Sequence, residues 1–300
     1  MSPELSVIII NWNGWEDTLK CLESLSASRY RNFSVTVVDN GSTDGSFGML
    51  NKRKGGFGFP VKLLKSSVNT GFTGGCNIAV KEALEDDCGY VFLLNNDASC
   101  HPNALSHLLD ISKRTGAAIV GATVVGGDGR ILFAGSRWPH QLFGLGKIKD
   151  KQRSWWRSSD AQGCAILVRK DAVRERVEEC GEFLDSSLFM YTEETDFCRY
   201  ALSKGHDIVI SRDARVRHEP AKISGGAGNP FSYYYLTRNR IYLADRWLGF
   251  GWRMLFHLYY LPSRLLIQSA GYSKGRGGTL KAVMAGIADG YRGVKGQKAL

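Results

Sequence analysis

Carboxylates at the ends of apolar runs are the residues of this chain best placed to do chemistry. Tyr191-Thr192-Glu193-Glu194-Thr195-Asp196 sets three acids at a helix start, directly after Leu188-Phe189-Met190. Acids in a first turn complement the helix dipole, so the placement has a purely structural explanation. Beside an apolar wall, however, a carboxylate holds its proton more tightly and can act as a general base. On the residues alone the two readings of Glu193, Glu194 and Asp196 weigh equally. Asp39 closes the run SVTVVD, and its strand-end position favours a binding role, whereas Asp44 in the turn DNGSTDGS reads as turn or cap chemistry. Asn95-Asn96-Asp97 follows YVFLL. A carboxylate there could hold a divalent cation, and the cation could grip a diphosphate; the tripeptide by itself is also an ordinary strand-to-loop turn. The run from Gly71 through Gly74 and Gly75 to Asn77 puts glycines at a helix N-terminus, where backbone N–H groups attract anions. A tight turn would use the same glycines. His218 follows a strand and is either a further metal ligand or a surface histidine, the latter being the stronger reading of the residue alone.

The elements that must carry these residues alternate. Ser6–Asn11 reads as a buried strand, Asp17–Ser26 as a helix with Leu19, Leu22 and Leu25 on one face, and Ser34–Asp39 as a second strand. Val61–Lys65 is a third strand, Gly75–Leu84 a helix, and Tyr90–Leu94 a fourth strand. Near-continuous apolar strands alternating with helices predict a parallel sheet covered on both faces. Ligands of such sheets sit beyond the carboxyl ends of the strands. Those ends are Asn11-Trp12-Asn13, Asp39-Asn40-Gly41 and Asn95-Asn96-Asp97, all polar. Further on come a strand at Gly163–Arg169, a helix starting near Asp171, a helix from Glu193 to Lys204 ended by Gly205, a short strand Ile208–Ser211, and helices from Phe231 onward. The stretch of about 125–160, rich in Gly, Trp and Arg, resists assignment.

Composition narrows the classes. With 300 residues, 43% hydrophobic and 23% charged, the chain can bury one large core or two small ones. Its 35 glycines follow no Gly-X-Y period, which excludes collagen. Seven scattered cysteines without a Cys-x-x-Cys pair argue against a disulfide framework or zinc ribbon and for a reducing compartment. The N-terminus carries no signal-like segment, so a cytoplasmic protein is expected. The net charge of +10 is concentrated after residue 220, where Asp245 and Asp289 are the only acids. The apolar stretch Met254–Tyr272 is interrupted by His257, Pro262 and Arg264, so no transmembrane span is expected. Walker, dinucleotide GxGxxG and HExxH patterns are absent.

Seven stretches carry a resemblance: VIIINWNGWEDTLKCLESL, VVDNGSTDGS, NTGFTGGCNIAV, FLLNNDA, GCAILVRKDA, FLDSSLFMYTEETDFCRYALSKG, and RVRH followed by YYYLTRNR. In this order and spacing they resemble glycosyltransferase family 2, and within it the bacterial rhamnosyltransferase-like branch. The resemblance implies an α/β fold of GT-A type, a mostly parallel central sheet flanked by helices, with residues 1–225 as the transferase domain and 226–300 as a helical, basic extension. It implies a nucleotide-sugar donor, Mg²⁺ or Mn²⁺, and an inverting single displacement. Carried over by position, Asn11 and Asp39 would contact the donor's base and ribose, and Gly71, Gly74 and Asn77 would help form the donor pocket. Asn95-Asn96-Asp97 stands at the family's Asp-X-Asp motif without its first acid, making Asp97 the metal ligand. His218 would be a further ligand. Glu194 stands where the family has an aspartate base, with Glu193 and Asp196 as alternatives.

The branch suggests dTDP-rhamnose as donor and a lipid-linked or polysaccharide acceptor of the cell envelope. An aromatic, Arg-rich tail suits the anionic inner face of a membrane; ordinary packing or a homodimer contact would also use it. A nucleic-acid-binding protein would explain the basic tail but not the acids, and no such motif is visible. A catalytically silent nucleotide-sugar binder and, more distantly, a sugar-nucleotide oxidoreductase complete the alternatives.

Overall fold

The computed structural model describes residues 4–148, 152–218, 229–270 and 277–298. Strand β1 (Leu5–Asn11) is buried along its whole length, because both of its faces are covered. Val7 and Ile9 point into a core shared with Leu19, Leu22 and Leu25 of helix α1 (Trp15–Ser26). Ile8 and Ile10 point the other way, into a second core. This period-two division of a continuous apolar run is what a sheet sandwiched by helices requires. Strand β2 (Phe33–Asn40), helix α2 (Ser46–Arg53), strand β3 (Val61–Ser66), helix α3 (Gly71–Glu85) and strand β4 (Tyr90–Leu94) follow. The four strands are parallel, in the order β3-β2-β1-β4.

Beyond β4 the sheet becomes mixed. Strand β5 (Ala98–Cys100), helix α4 (Ala104–Thr115), strand β6 (Ile119–Val125), short strands β7 (Ile131–Phe133) and β8 (Trp155–Arg157), and strand β9 (Ala165–Arg169) come next. Helices α5 (Lys170–Cys180) and α6 (Glu193–Ser203) lead to strand β10 (Ile208–His218). The order continues β4-β9-β6-β10-β5, with β9 antiparallel to both neighbours and β10 parallel to β6. Parallel pairing thus characterises the first four strands, where each crossover is a helix. In contrast, β9 enters in the opposite sense because it arrives from the irregular stretch 125–160.

Two expectations shift in detail. Helix α3 begins four residues before Gly75, since Gly71 takes φ +75° and opens the first turn itself. The short strand expected at Ile208–Ser211 is the first part of an eleven-residue strand. An irregularity between Ser211 and Arg215 lets it turn and continue to His218.

The C-terminal region is helical: α7 (Pro230–Trp247), α8 (Phe250–Leu255), a π-turn at Phe256–Tyr260, α9 (Leu261–Ala270) and α10 (Gly277–Tyr291). Asn229 caps α7 by accepting from Phe231 N, with Pro230 in the first turn. The boundary expected near residue 225 lies outside the described residues. Ile241 and Ala244 of α7 share a core with Leu142 and Leu188, and Tyr234 and Tyr235 pack with Phe189. Six of the seven cysteines are buried, and Cys180, at the end of α5, is exposed.

Candidate active site

The carboxyl ends of β1 and β2 are tied by side chains. Asn11 and Asp39 are register partners in adjacent strands, and both are fully buried. Asn11 Nδ2 donates to Asp39 Oδ1 (2.8 Å) and to Ser42 Oγ (3.2 Å), while Asn11 Oδ1 accepts from Thr18 Oγ1 (2.8 Å). The amide of Asn11 is thereby fully engaged and orients Asp39. Asp39 Oδ2, by contrast, is buried without a hydrogen-bond partner. A buried carboxylate oxygen left unpaired is costly, and a donor group of a ligand would satisfy it. Next to it, Asn40 accepts from Thr70 N (3.1 Å) and donates to Gly71 O (2.9 Å), a link that the turn chemistry of DNGSTDGS conceals.

The end of β4 joins this network. Asn96 Nδ2 donates to Thr18 Oγ1 (3.3 Å) and Gly14 O (3.4 Å). Asp97 and His218, remote in sequence, meet because β5 pairs antiparallel with the end of β10, His218 opposite Ala98. His218 Nε2 lies 3.0 Å from Asp97 Oδ1 and 3.3 Å from Asn95 Nδ2. Both side chains of the pair are nearly buried. Among the described residues no group of three His, Cys, Asp or Glu is gathered for a metal. The donor set offered is one carboxylate, one imidazole and a neighbouring amide. It fits a divalent ion that completes its shell with phosphate and water oxygens.

The three acids at the start of α6 separate by environment. Asp196 is fully buried and saturated: Arg176 Nη2 (2.9 Å), Arg246 Nη1 (2.9 Å) and Trp247 Nε1 (2.8 Å) all donate to it. Glu193 is buried, with Oε2 unpartnered, and burial pushes its carboxyl up to about 7. Glu194 is half-buried, packed against Gly163. Burial first, then the neighbouring Glu193 and Asp160 carboxylates, raises it well above the usual range. Asp160, itself pushed up to about 6 by burial, accepts from Gln141 Nε2 (2.5 Å) and Thr195 Oγ1 (2.9 Å). A saturated carboxylate and a pair of proton-retaining ones therefore lie within a single helical turn. The Cys164 thiol feels both parts of the site: after burial, Asp97 and Glu194 are the charges that raise it most.

Other expected site residues are engaged in packing. Asn77 Nδ2 donates to Leu184 O (2.8 Å) and its Oδ1 accepts from Leu184 N (2.9 Å), fastening α3 to the segment before α6. A Cβ at Gly71 would overlap the Phe189 carbonyl, and one at Gly74 would overlap Thr70. The first-turn N–H groups of Gly71 and Thr73 already donate to Asn69 Oδ1 and Phe189 O. These glycines permit close approach rather than an open anion cradle. Asp160, Gln141 and the Arg176–Arg246–Trp247 set escaped the sequence reading. Arginines on amphipathic helices look like solvated surface, and only Asp160, just ahead of the apolar β9, offered a visible signal.

Comparison with known proteins now places the chain. Its fold is that of S. aureus TarS residues 1–349 in complex with UDP-GlcNAc, at TM-score 0.64 and 16% identity, covering 97% of this chain and 81% of that one. Against the longer TarS chain the coverage is 43% of that chain, at TM-score 0.58. GalNAc-T7 with UDP, GalNAc and Mn²⁺ shares the fold at TM-score 0.59 and 14% identity, over 85% of this chain and 57% of that one. The architecture is thus the GT-A glycosyltransferase fold.

The model of glycosyl transferase family 2 matches residues 6–177, and the chain belongs to that family. Among curated relatives, the N-acetylglucosaminyl-diphospho-decaprenol L-rhamnosyltransferase of Mycobacterium tuberculosis is 27% identical, over 84% of this chain and 88% of its own. The low-salt glycan biosynthesis hexosyltransferase Agl10 of Haloferax volcanii is 24% identical, over 66% of this chain and 61% of its own.

Proposed function

We propose that the protein is an inverting glycosyltransferase that moves a deoxyhexose, rhamnose in the first instance, from a dTDP-linked donor to a hydroxyl of a lipid-linked or polysaccharide acceptor. The observation that carries this reading is the pairing of two features. Glu194, half-buried and holding its proton more strongly than an ordinary glutamate, packs against Gly163. The next residue, Cys164, accepts through its carbonyl from Asn95 N (3.1 Å), and the Asn95 side chain lies 3.3 Å from His218 of the Asp97–His218 pair. The rhamnosyltransferase relative supports the choice of sugar and of a lipid-linked acceptor.

Asp39 Oδ2 receives a donor hydroxyl or base N–H. Asp97 and His218 would hold Mg²⁺ or Mn²⁺, which when bound supplies charge neutralisation for the departing diphosphate. Glu194 takes the proton of the acceptor hydroxyl as the new glycosidic C–O bond forms and the anomeric bond to phosphate breaks. Loss of such a base typically costs ~10²–10⁴-fold. Asp196 is left out of this role because all its approaches are taken by Arg176, Arg246 and Trp247.

The acceptor's location gives the tail its part. Phe250, Leu258 and Leu266 are 73%, 70% and 70% exposed, on helices that also carry Arg253 and Arg264. Among the described residues no helix is long and apolar enough to cross a membrane. Exposed apolar side chains on helices that carry cations suit an anionic leaflet. Residues 226–300 are accordingly the membrane- and acceptor-facing part.

The test is release of nucleotide diphosphate from a panel of sugar nucleotides, with Mg²⁺ or Mn²⁺ and then EDTA, for wild type and Glu194→Gln. Metal-dependent turnover of one donor, lost in the variant, supports the reading. Donor binding without turnover, even with lipid-linked acceptors, would replace it with a silent binder. Co-sedimentation with anionic but not neutral vesicles tests the membrane face.

A further inference from the structure

The helix bearing Glu194 is entered through a backbone under strain. Phe189, Tyr191 and Thr192 have φ of 65°, 65° and 71°, left-handed values that residues with a Cβ seldom adopt and β-branched threonine least of all. Such a turn persists only where its surroundings over-determine it. Here two adjacent residues of α7 do so. Asn239 Nδ2 lies within hydrogen-bond distance of three carbonyls, Leu188 O (3.0 Å), Met190 O (2.8 Å) and Tyr191 O (2.8 Å). Arg238 Nη2 donates to Leu188 O at 2.9 Å, and Arg238 Nε donates to Asn239 Oδ1 at 3.0 Å. The latter bond turns the amide so that its NH₂ group, not its oxygen, faces the carbonyls.

Both side chains are fully buried, and the guanidinium stacks 4.7 Å from the Tyr235 ring centroid. Two helical turns further along α7, Arg246 and Trp247 hold Asp196. One helix therefore grips the chain on both sides of Glu193-Glu194.

We infer that Arg238 and Asn239 are positioning residues for the base: they hold the Leu188–Thr192 turn in its left-handed form and so fix where the Glu194 carboxylate sits. The inference rests on Glu194 being the base. A misplacement of about 1 Å at a reacting group can cost ~10²-fold in rate, which sets the size of effect to expect.

The experiment is a double-mutant cycle of Asn239→Ala and Glu194→Gln, read as kcat, donor KM and the pH profile. The expected result has three parts. Asn239→Ala lowers kcat ~10–10²-fold with donor KM unchanged, it displaces the acidic limb of the profile, and it causes no further loss in the Glu194→Gln background. Equal losses in both backgrounds, or a raised KM at constant kcat, would overturn the inference in favour of a general structural role. Full activity of Glu194→Gln alone would instead remove the base assignment, an outcome visible without the second mutation. Should Asn239→Ala fail to fold, Arg238→Lys keeps the charge but loses the Nε bond that orients the amide. The same non-additive loss is expected from it, and additive loss overturns the inference.

Discussion

His218 Nε2 and Asp97 Oδ1 stand 3.0 Å apart across 121 residues of sequence, joined because the last residue of an eleven-residue strand lies beside a three-residue one. The pair is the part of the site that depends most on long-range pairing and the part that would meet a metal. Mn²⁺ binding followed by electron paramagnetic resonance in the presence of nucleotide diphosphate should weaken by ~10–100-fold or more in His218→Ala, a loss that even outer-sphere substitutions reach. Asp97→Asn should weaken it further, since the hard oxygen is the better ligand. Unchanged affinity in both would remove the metal from these residues.

The pH profile should carry the signature of the proposed base, Glu194. Only deprotonated Glu194 can accept the hydroxyl proton, so turnover rises with pH through its carboxyl, which burial and the adjacent acids hold above the usual range. The acidic limb of kcat should therefore lie well above pH 4.5, the ordinary glutamate value. A limb at or below that value would contradict the site's electrostatics.

Glu193 makes the opposite demand on stability. Its carboxyl rises from 4.5 to about 7 on folding, so between these values the folded chain binds more protons than the unfolded one. Stability from this group is complete below about pH 4.5 and declines as pH rises towards 7. Glu193→Gln should accordingly raise Tm at pH 8, by roughly 2–4 °C for each kcal/mol recovered in a chain of this size or somewhat smaller, and leave it unchanged at pH 4. A larger gain at pH 4 than at pH 8 would reverse the assignment.

Asp196 should behave as a structural residue. Removing one partner of a buried ion pair typically costs ~3–5 kcal/mol because the other charge is left uncompensated. Asp196→Ala would strand Arg176, whose side chain is 7% exposed. Denaturant unfolding should show a loss of that order, whereas Glu194→Gln should unfold at or above the wild-type midpoint.

Much of this was legible along the chain, and the rest was not for identifiable reasons. Strands β1, β2 and β4 are legible because each is a largely apolar run ending in polar residues, and Asn11, Asp39 and Asp97 lie at or just beyond those ends. Helix Ala104–Thr115 carries the same kind of signal in Leu105, Leu108 and Leu109, though it is not among the elements expected above. Strands Ile131–Phe133 and Trp155–Arg157 were not legible, being three residues each and held by pairing with distant partners. Nothing local in YYYLTRNR distinguishes a fully buried Arg238-Asn239 from a solvated basic helix. Burial of that dipeptide follows from the strained turn it meets, some fifty positions earlier.

The distribution of the thiols has a practical consequence. Burial raises the Cys21, Cys76, Cys88, Cys100, Cys164 and Cys198 thiols, which makes them slow to alkylate, while Cys180 faces solvent. The wild-type chain is thereby ready for single-site attachment of a fluorophore. Cys180 sits one helical turn beyond Arg176, whose guanidinium is bonded to Asp196 on the helix of the proposed base. A maleimide dye placed there would sense movement of that helix, and so could follow donor and acceptor arrival in real time without a designed cysteine.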